Sequence, residues 1–330
     1  SPIGLRGRAH RLCISFILLV LFLMRPSCLF ILFAVLWLFQ SPLQGQQAYL
    51  RQALADYVSD KPAQIGVALI VEGRDTVCVN DSCRYPLMSV FKLHQALAVA
   101  HGLRVRGWTL DTPVCIRQKD LKPDTYSPLR DKYPEGGVTL RVRDLLSYTL
   151  QWSDNNACDI LFDRICGVEE TERYMHELGI VPLAIVADEA EMHRSLGRCY
   201  DNWSTPLAVA RLLEMLFTHP VFADGAEEGF IRKMLLECET GKERLAAPLE
   251  GTDTAIGHKT GTGDQNVRGE WIGVNDAGFI RLPDGRHYTL VVLVKDSRAT
   301  MEETCRYMAD ISSIVLRALT GGEKTGRSGI

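Results

Sequence analysis

Three short strings in this sequence place hydroxyl, amine and carboxamide groups at spacings that suit acyl transfer. Ser89-Val90-Phe91-Lys92 is the only Ser-x-x-Lys in the chain, and a separation of three puts both side chains on one face of a helix. A serine hydroxyl is a poor nucleophile until a base takes its proton, and a lysine desolvated by Phe91 and Leu93 can be that base. The start of a helix also offers backbone N–H groups where an oxyanion develops. Taken alone the string is weak: a capping serine and a surface lysine have the same spacing, and composition yields about one such match in a chain this long. Ser153-Asp154-Asn155 opens a second helical pattern, where serine and aspartate are ordinary caps. Its chemical reading gives Ser153 a proton relay to a leaving nitrogen and Asn155 a carboxamide for a substrate amide. Lys259-Thr260-Gly261-Thr262-Gly263 lies on a strand whose small residues let another backbone approach, with Lys259 facing a carboxylate. A second Lys-Thr-Gly at Lys324 to Gly326 lies outside any strand pattern and is set aside.

The elements that must hold these strings alternate in kind along the chain. Ala48 to Ser59 has a helical period, Ile65 to Val71 reads as a buried strand, and Thr76 to Val79 reads as its return. Helical patterns follow at Leu87 to Ala100, Val142 to Tyr148, Asn155 to Ile165, Glu169 to Leu178, Pro206 to Phe217 and Gly229 to Glu237. Strands resume at Ala255 to Gly261, Ala277 to Leu282 and Tyr288 to Val294, with Pro283-Asp284-Gly285 as a hairpin turn. Met301 to Leu319 closes the chain as a helix. This order predicts an α/β (α+β) fold: an antiparallel five-stranded sheet flanked by helices, with an all-helical subdomain inserted between its strands. The boundaries are 46–85 with 236–320 for the α/β part, 86–235 for the helical part and 321–330 for a polar tail. Clefts form where such parts meet.

Composition narrows the function. Hydrophobic residues make up 46% of 330 and the net charge is −3, with a pI near 6.3. That is a globular chain without the basic footprint of a nucleic-acid binder, so a small-molecule substrate is expected. Residues 1–45 read as a leader: Cys28 to Phe39 is an apolar h-region, Ser41 to Gly45 a cleavage zone, and Met24-Arg25-Pro26 a natural start. A retained anchor is the alternative, although the run is shorter than the ~20 residues of a spanning helix. Eight of the ten cysteines follow the leader, and an exported domain can oxidise them. Cys78 and Cys83 flank a short turn and could pair, but eight cysteines allow about 105 pairings, and free thiols are equally compatible. The eight histidines never approach within six residues of one another, which removes the usual zinc patterns. Gly261-x-Gly263 precedes no helix, so no dinucleotide site is expected. Neither metal nor cofactor is required.

In this order and at these separations, Ser-x-x-Lys, Ser-Asp-Asn and Lys-Thr-Gly resemble the marks of the serine β-lactamase and penicillin-binding protein superfamily. The resemblance covers residues 46 to about 320. It implies hydrolysis of β-lactams through an acyl-enzyme on Ser89, with Lys92 and Ser153 moving protons. Asp188-Glu189-Ala190-Glu191-Met192-His193 falls where class A enzymes carry the loop glutamate that activates the deacylating water. The register assigns that role to Glu189, with Glu191 as competitor. His193 stands where many class A enzymes use an asparagine, and Ala187 where many carry a loop-pinning arginine. Those departures, with Asp201 to Pro206 and a turn at Asn275-Asp276-Ala277-Gly278, resemble the extended-spectrum and cephalosporinase branch.

The same matching implies that Ser89 and Thr262 offer the oxyanion N–H groups and Thr260 a hydroxyl to the substrate carboxylate. Tyr126 would wall the cleft, although an exposed loop tyrosine fits equally well. Arg268 falls where many relatives bind the carboxylate, in a branch that varies there. The acylation base, Lys92 or Glu189, stays open. Cleavage of the leader would export the chain to the periplasm without a stable membrane anchor, and a monomer is expected. The competing functions are a D-Ala-D-Ala peptidase and a penicillin sensor that stays acylated.

Overall fold

The computed structural model describes residues 45–321 except Pro220, Ala223 and Asp224. The chain divides into residues 1–49 and residues 50–330. The leader, its start and its cleavage zone lie outside the described residues but for Gly45, and the tail lies outside them but for Gly321. The second unit carries every strand among the described residues and all three motifs.

In chain order the helices are α1 (45–59), α2 (Phe91–Val105), α3 (Pro128–Lys132), α4 (Val142–Gln151), α5 (Asn155–Arg164), α6 (Val168–Glu177), α7 (Glu189–Arg194), α8 (Pro206–Thr218), α9 (Ala226–Leu236) and α10 (Met301–Thr320). The strands are β1 (Gln64–Val71), β2 (Asp75–Val79), β3 (Tyr85–Pro86), β4 (Pro113–Arg117), β5 (Gly136–Arg141), β6 (Leu183–Ala184), β7 (Trp203–Ser204), β8 (Ala255–Thr262), β9 (Trp271–Arg281) and β10 (His287–Ser297). The main sheet runs β2-β1-β10-β9-β8, antiparallel at every pairing. This is the α+β architecture expected from the order of elements.

Because successive strand residues face opposite sides, β1 and β10 feed two cores at once. Val67, Leu69, Leu290 and Val292 face the terminal helices through Leu54, Met308, Ile311 and Val315. Ala68, Ile70, Val291 and Leu293 join the helical core around α2. Burial on both faces explains why these strands read as continuous apolar runs rather than alternating ones. Most of α2 is buried all round, from Phe91 to Leu103, as expected of a helix at the centre of a bundle. Its first turn carries Lys92 into that interior.

The structure adds strands that the helical reading of 86–235 passes over. β4 and β5 form a hairpin, and β3, β7 and β6 form a small sheet. Two-residue strands carry no period, and β4 buries only its second and fourth residues. The turn expected at Asn275 to Gly278 is corrected: all four residues lie inside β9, with the first two fully buried. Their turn-like composition has another cause, since each polar side chain has a fixed partner. Asn275 donates to the carbonyls of Pro86 and Leu87 at 2.8 and 3.0 Å and accepts from the Val294 N–H, while Asp276 pairs with His258. All eight described cysteines are free thiols, Cys78 and Cys83 among them. No helix among the described residues is long and apolar enough to cross a membrane.

Candidate active site

Ser89 sits in a 3-10 turn, Met88–Val90, that feeds α2. The turn is strained: Met88 has φ +46°, a region that costs a non-glycine residue about 1–3 kcal/mol and persists only when its surroundings fix it. They do so from three sides. Leu87 donates its N–H to the Asn202 carbonyl at 2.8 Å, and Asn275 clamps the two preceding carbonyls. Gly261 of β8 packs against the same turn, where an added Cβ would lie 2.7 Å from the Leu87 oxygen and 3.1 Å from the Ser89 nitrogen. The sequence suggests Gly261 as an opening for substrate; the structure uses its missing side chain to admit the nucleophile's own backbone.

Lys92 is fully buried and its Nζ lies 3.0 Å from Ser89 Oγ, 2.9 Å from the Ser153 carbonyl and 2.6 Å from Asn155 Oδ1. Glu189 Oε1 is 2.8 Å away. An ammonium has three N–H groups for these four oxygens, so protons and partners can be redistributed around it. Glu189 Oε1 also stands 3.4 Å from Ser89 Oγ.

Asp154 caps α5 by accepting from the Ala157 N–H, and it takes the Leu129 N–H and the Ser127 hydroxyl as well. Burial pushes its carboxyl upward. The cap leaves Ser153 just outside the helix at φ +59°, with its hydroxyl accepting from Lys259 Nζ at 2.9 Å. Asn155 begins α5, donating through Nδ2 to Thr125 Oγ1 at 2.7 Å.

The loop glutamates separate by role. Asp188 and Glu191 form a reciprocal cap on α7, Asp188 taking the Glu191 N–H and Glu191 the Asp188 N–H; this leaves Glu189, on the first helical residue, to face Lys92. Its backbone is held from α5, where Asp159 accepts the N–H groups of Glu189 and Ala190 at 2.9 and 3.2 Å. Burial raises the Asp159 carboxyl to about 6, against the pull of Lys122. Buried Asn202 does the pinning that Ala187 cannot: its Oδ1 accepts from the Val186 and Ala187 N–H groups and its Nδ2 donates to the Ala187 carbonyl.

β8 is the edge of the main sheet. Gly263 donates its N–H to Gly273 of β9 at 2.8 Å, and since neighbouring strand N–H groups point to opposite edges, that of Thr262 points outward beside Ser89. Lys259 is fully buried; burial, then the charge of Lys92, lowers its pKa to about 7. Thr260 Oγ1 meets Thr240 Oγ1 at 2.6 Å.

Sequence reasoning misses Arg244 and Thr240, which belong to no motif or period. Arg244 is buried and reaches Thr262 Oγ1 at 2.6 Å, with the carbonyls of Gly261 and Asn275 holding its other nitrogen. Arg268, placed by the resemblance at a carboxylate position, instead turns to Glu270 at 2.6 Å on the surface. Tyr126, His193, Asn155, Glu189 and Thr262 line one cleft of about 590 Å³; the Tyr126 side is open, with 55% of the residue exposed. The arrangement can activate a hydroxyl, receive an oxyanion, deliver a proton across Ser153 and hold an anion near Arg244.

Comparison with known proteins agrees with this chemistry. Residues 48–319 match the model of the "Beta-lactamase enzyme family". A β-lactamase of Phocaeicola vulgatus is 40% identical over 82% of this chain and 84% of that protein. Among solved structures, a class A β-lactamase from Bacteroides cellulosilyticus superposes with a TM-score of 0.79 at 37% identity, over 84% of this chain and 99% of the other. The TLA-1 extended-spectrum β-lactamase gives 0.79 at 34%, over 83% and 99%.

Proposed function

We propose how a chain that belongs to the beta-lactamase enzyme family, in its class A, opens and clears a β-lactam. Ser89 Oγ attacks the lactam carbonyl as its proton passes to Lys92 or, through water, to Glu189. The carbonyl oxygen, gaining charge, is received by the N–H groups of Ser89 and Thr262, the largest electrostatic aid such a reaction has. The C–N bond breaks, and the nitrogen takes a proton from Ser153, whose hydroxyl is replenished along Lys259 or Lys92. Glu189 then takes a proton from water as that water attacks the ester, releasing the opened acid and restoring Ser89.

Lys259, Thr260, Thr240, Thr262 and the Arg244 behind them receive the substrate carboxylate; Asn155 receives its side-chain amide, with His193 and Tyr126 at the walls. The observation that carries the hydrolytic reading over a peptidase or a trapped sensor is Glu189, at 2.8 Å from Lys92 and 3.4 Å from Ser89. The likeness to an extended-spectrum enzyme supports cephalosporins among the substrates. The apolar run from Cys28 to Phe39 supports export to the periplasm with removal of the leader, and every group in this scheme comes from one chain, which supports action as a monomer.

Mixing the enzyme with a chromogenic cephalosporin tests this. Many turnovers per enzyme, lost in Ser89→Ala, are expected; a single stoichiometric burst, or turnover that persists in the variant, overturns the proposal.

A further inference from the structure

A second cavity, of about 670 Å³, opens where α8 and α9 meet the ends of β8 and β9. It shares no lining residue with the cleft of Tyr126 and Glu189, and the hydrolytic scheme leaves it without a task. Its volume lies within the ~300–1,000 Å³ of small-molecule sites, which join an apolar lining to a few placed polar groups.

Local sequence builds the apolar wall. Phe217 of α8 and Phe279 of β9 stack face to face, with ring centroids 4.4 Å apart and planes 4° from parallel, and His287 extends the stack from Phe279 at 5.0 Å. Gly257 of β8 makes room for them: an added Cβ would lie 2.6 Å from Phe217 Cζ and 3.4 Å from Leu236 Cδ2. Leu236, the last residue of α9, lines the cavity with half of its surface exposed.

The charge on the lining is mostly positive, in a chain whose net charge is −3. Arg232, Lys233 and Arg281 stand against one acid, Glu237. Two of these cations are already shared. Lys233 lies 3.8 Å from Glu237, which also accepts from Gln151 at 3.0 Å; Arg232 lies 3.9 Å from Glu228 and donates to the Leu216 carbonyl at 2.8 Å. Arg281, the last residue of β9, is exposed, and no acid among the described residues pairs with it. The lining therefore lacks one negative charge.

We propose that this cavity binds a small amphiphilic monoanion, a fatty carboxylate, whose chain lies against Phe217, Phe279 and Leu236 and whose head pairs with Arg281.

Removing the chain from water drives the binding, and the planar guanidinium fork matches a carboxylate. The rim then selects by sign, since a cationic head on the same chain meets three like charges. A dianionic head finds only one unpaired cation and has Glu237 beside it.

The test is calorimetric titration of the whole protein with dodecanoate below its micelle concentration, beside dodecyltrimethylammonium, which carries the same chain and the opposite charge. One saturable dodecanoate site per chain is expected, with the cation weaker by about tenfold or more. Arg281→Glu should weaken dodecanoate by about tenfold, and Ala255→Trp, which fills the cavity from the start of β8, should abolish its binding. Both positions are exposed, and urea unfolding checks that each variant keeps its fold. Absence of saturable binding, equal affinity for the two head groups, or dodecanoate affinity unchanged in either variant overturns the proposal. The first two outcomes are read on the wild-type protein, so they decide the matter whether or not the variants fold. Binding requires no turnover, so its failure would leave the Ser89 chemistry untouched.

Discussion

Lys259 donates to the hydroxyl of Ser153 at 2.9 Å, across 106 residues of sequence. The contact joins the charge that receives the substrate carboxylate to the hydroxyl that protonates the leaving nitrogen. Its pKa of about 7, set by burial and then by Lys92, makes the contact sensitive to pH. The free enzyme loses the Lys259 charge as pH rises through 7, and kcat/KM reports the free enzyme. For an anionic penicillin kcat/KM is therefore expected to decline above pH 7, and Lys259→Arg, which stays cationic, is expected to remove that decline. A wild-type profile that stays flat from pH 6 to 9 contradicts this assignment.

Asn202 carries the loop that aims Glu189. Replacing it by alanine leaves two N–H groups and a carbonyl without partners in a buried place, each worth about 1–3 kcal/mol if it stays dry. Asn202→Ala is expected to lose about 2–4 kcal/mol in urea unfolding and to slow deacylation more than acylation, seen as a larger pre-steady-state burst. Equal effects on the two half-reactions would assign Asn202 to the fold alone.

The His258–Asp276 pair gives stability a second pH dependence. The folded-state pKa of His258 is raised to about 10 from an ordinary 6.5, so the folded state binds the extra proton between those values. Its contribution is fully present below about pH 6.5 and is lost as pH rises toward 10. Unfolding free energies should fall across that window in the wild-type enzyme and fall less in Asp276→Asn. An unchanged slope in the variant would show that the pair does not set it.

Local chemistry made much of the site legible in the sequence. Ser89 and Lys92 share a helical face, Asp154 is a cap, and β1 and β10 are apolar runs whose two faces are both covered. What stayed hidden depends on contacts distant in sequence. Arg244 and Thr240 matter because β8 and β9 close over them. Asn275 and Asp276 have the composition of a turn and become strand because Pro86, Leu87 and His258 supply their partners. The resemblance supplied the choice of Glu189 over Glu191, and the structure adds its physical reason: the α7 cap occupies Glu191.

The most direct test of the hydrolytic account is the intact mass of Glu189→Ala after exposure to a penicillin. The expected result is one drug adduct per protein, mapped to the Ser89 peptide and lasting long after the wild-type enzyme has returned to its native mass. Rapid turnover by Glu189→Ala with no adduct would contradict the account, because the deacylating base would then be another group.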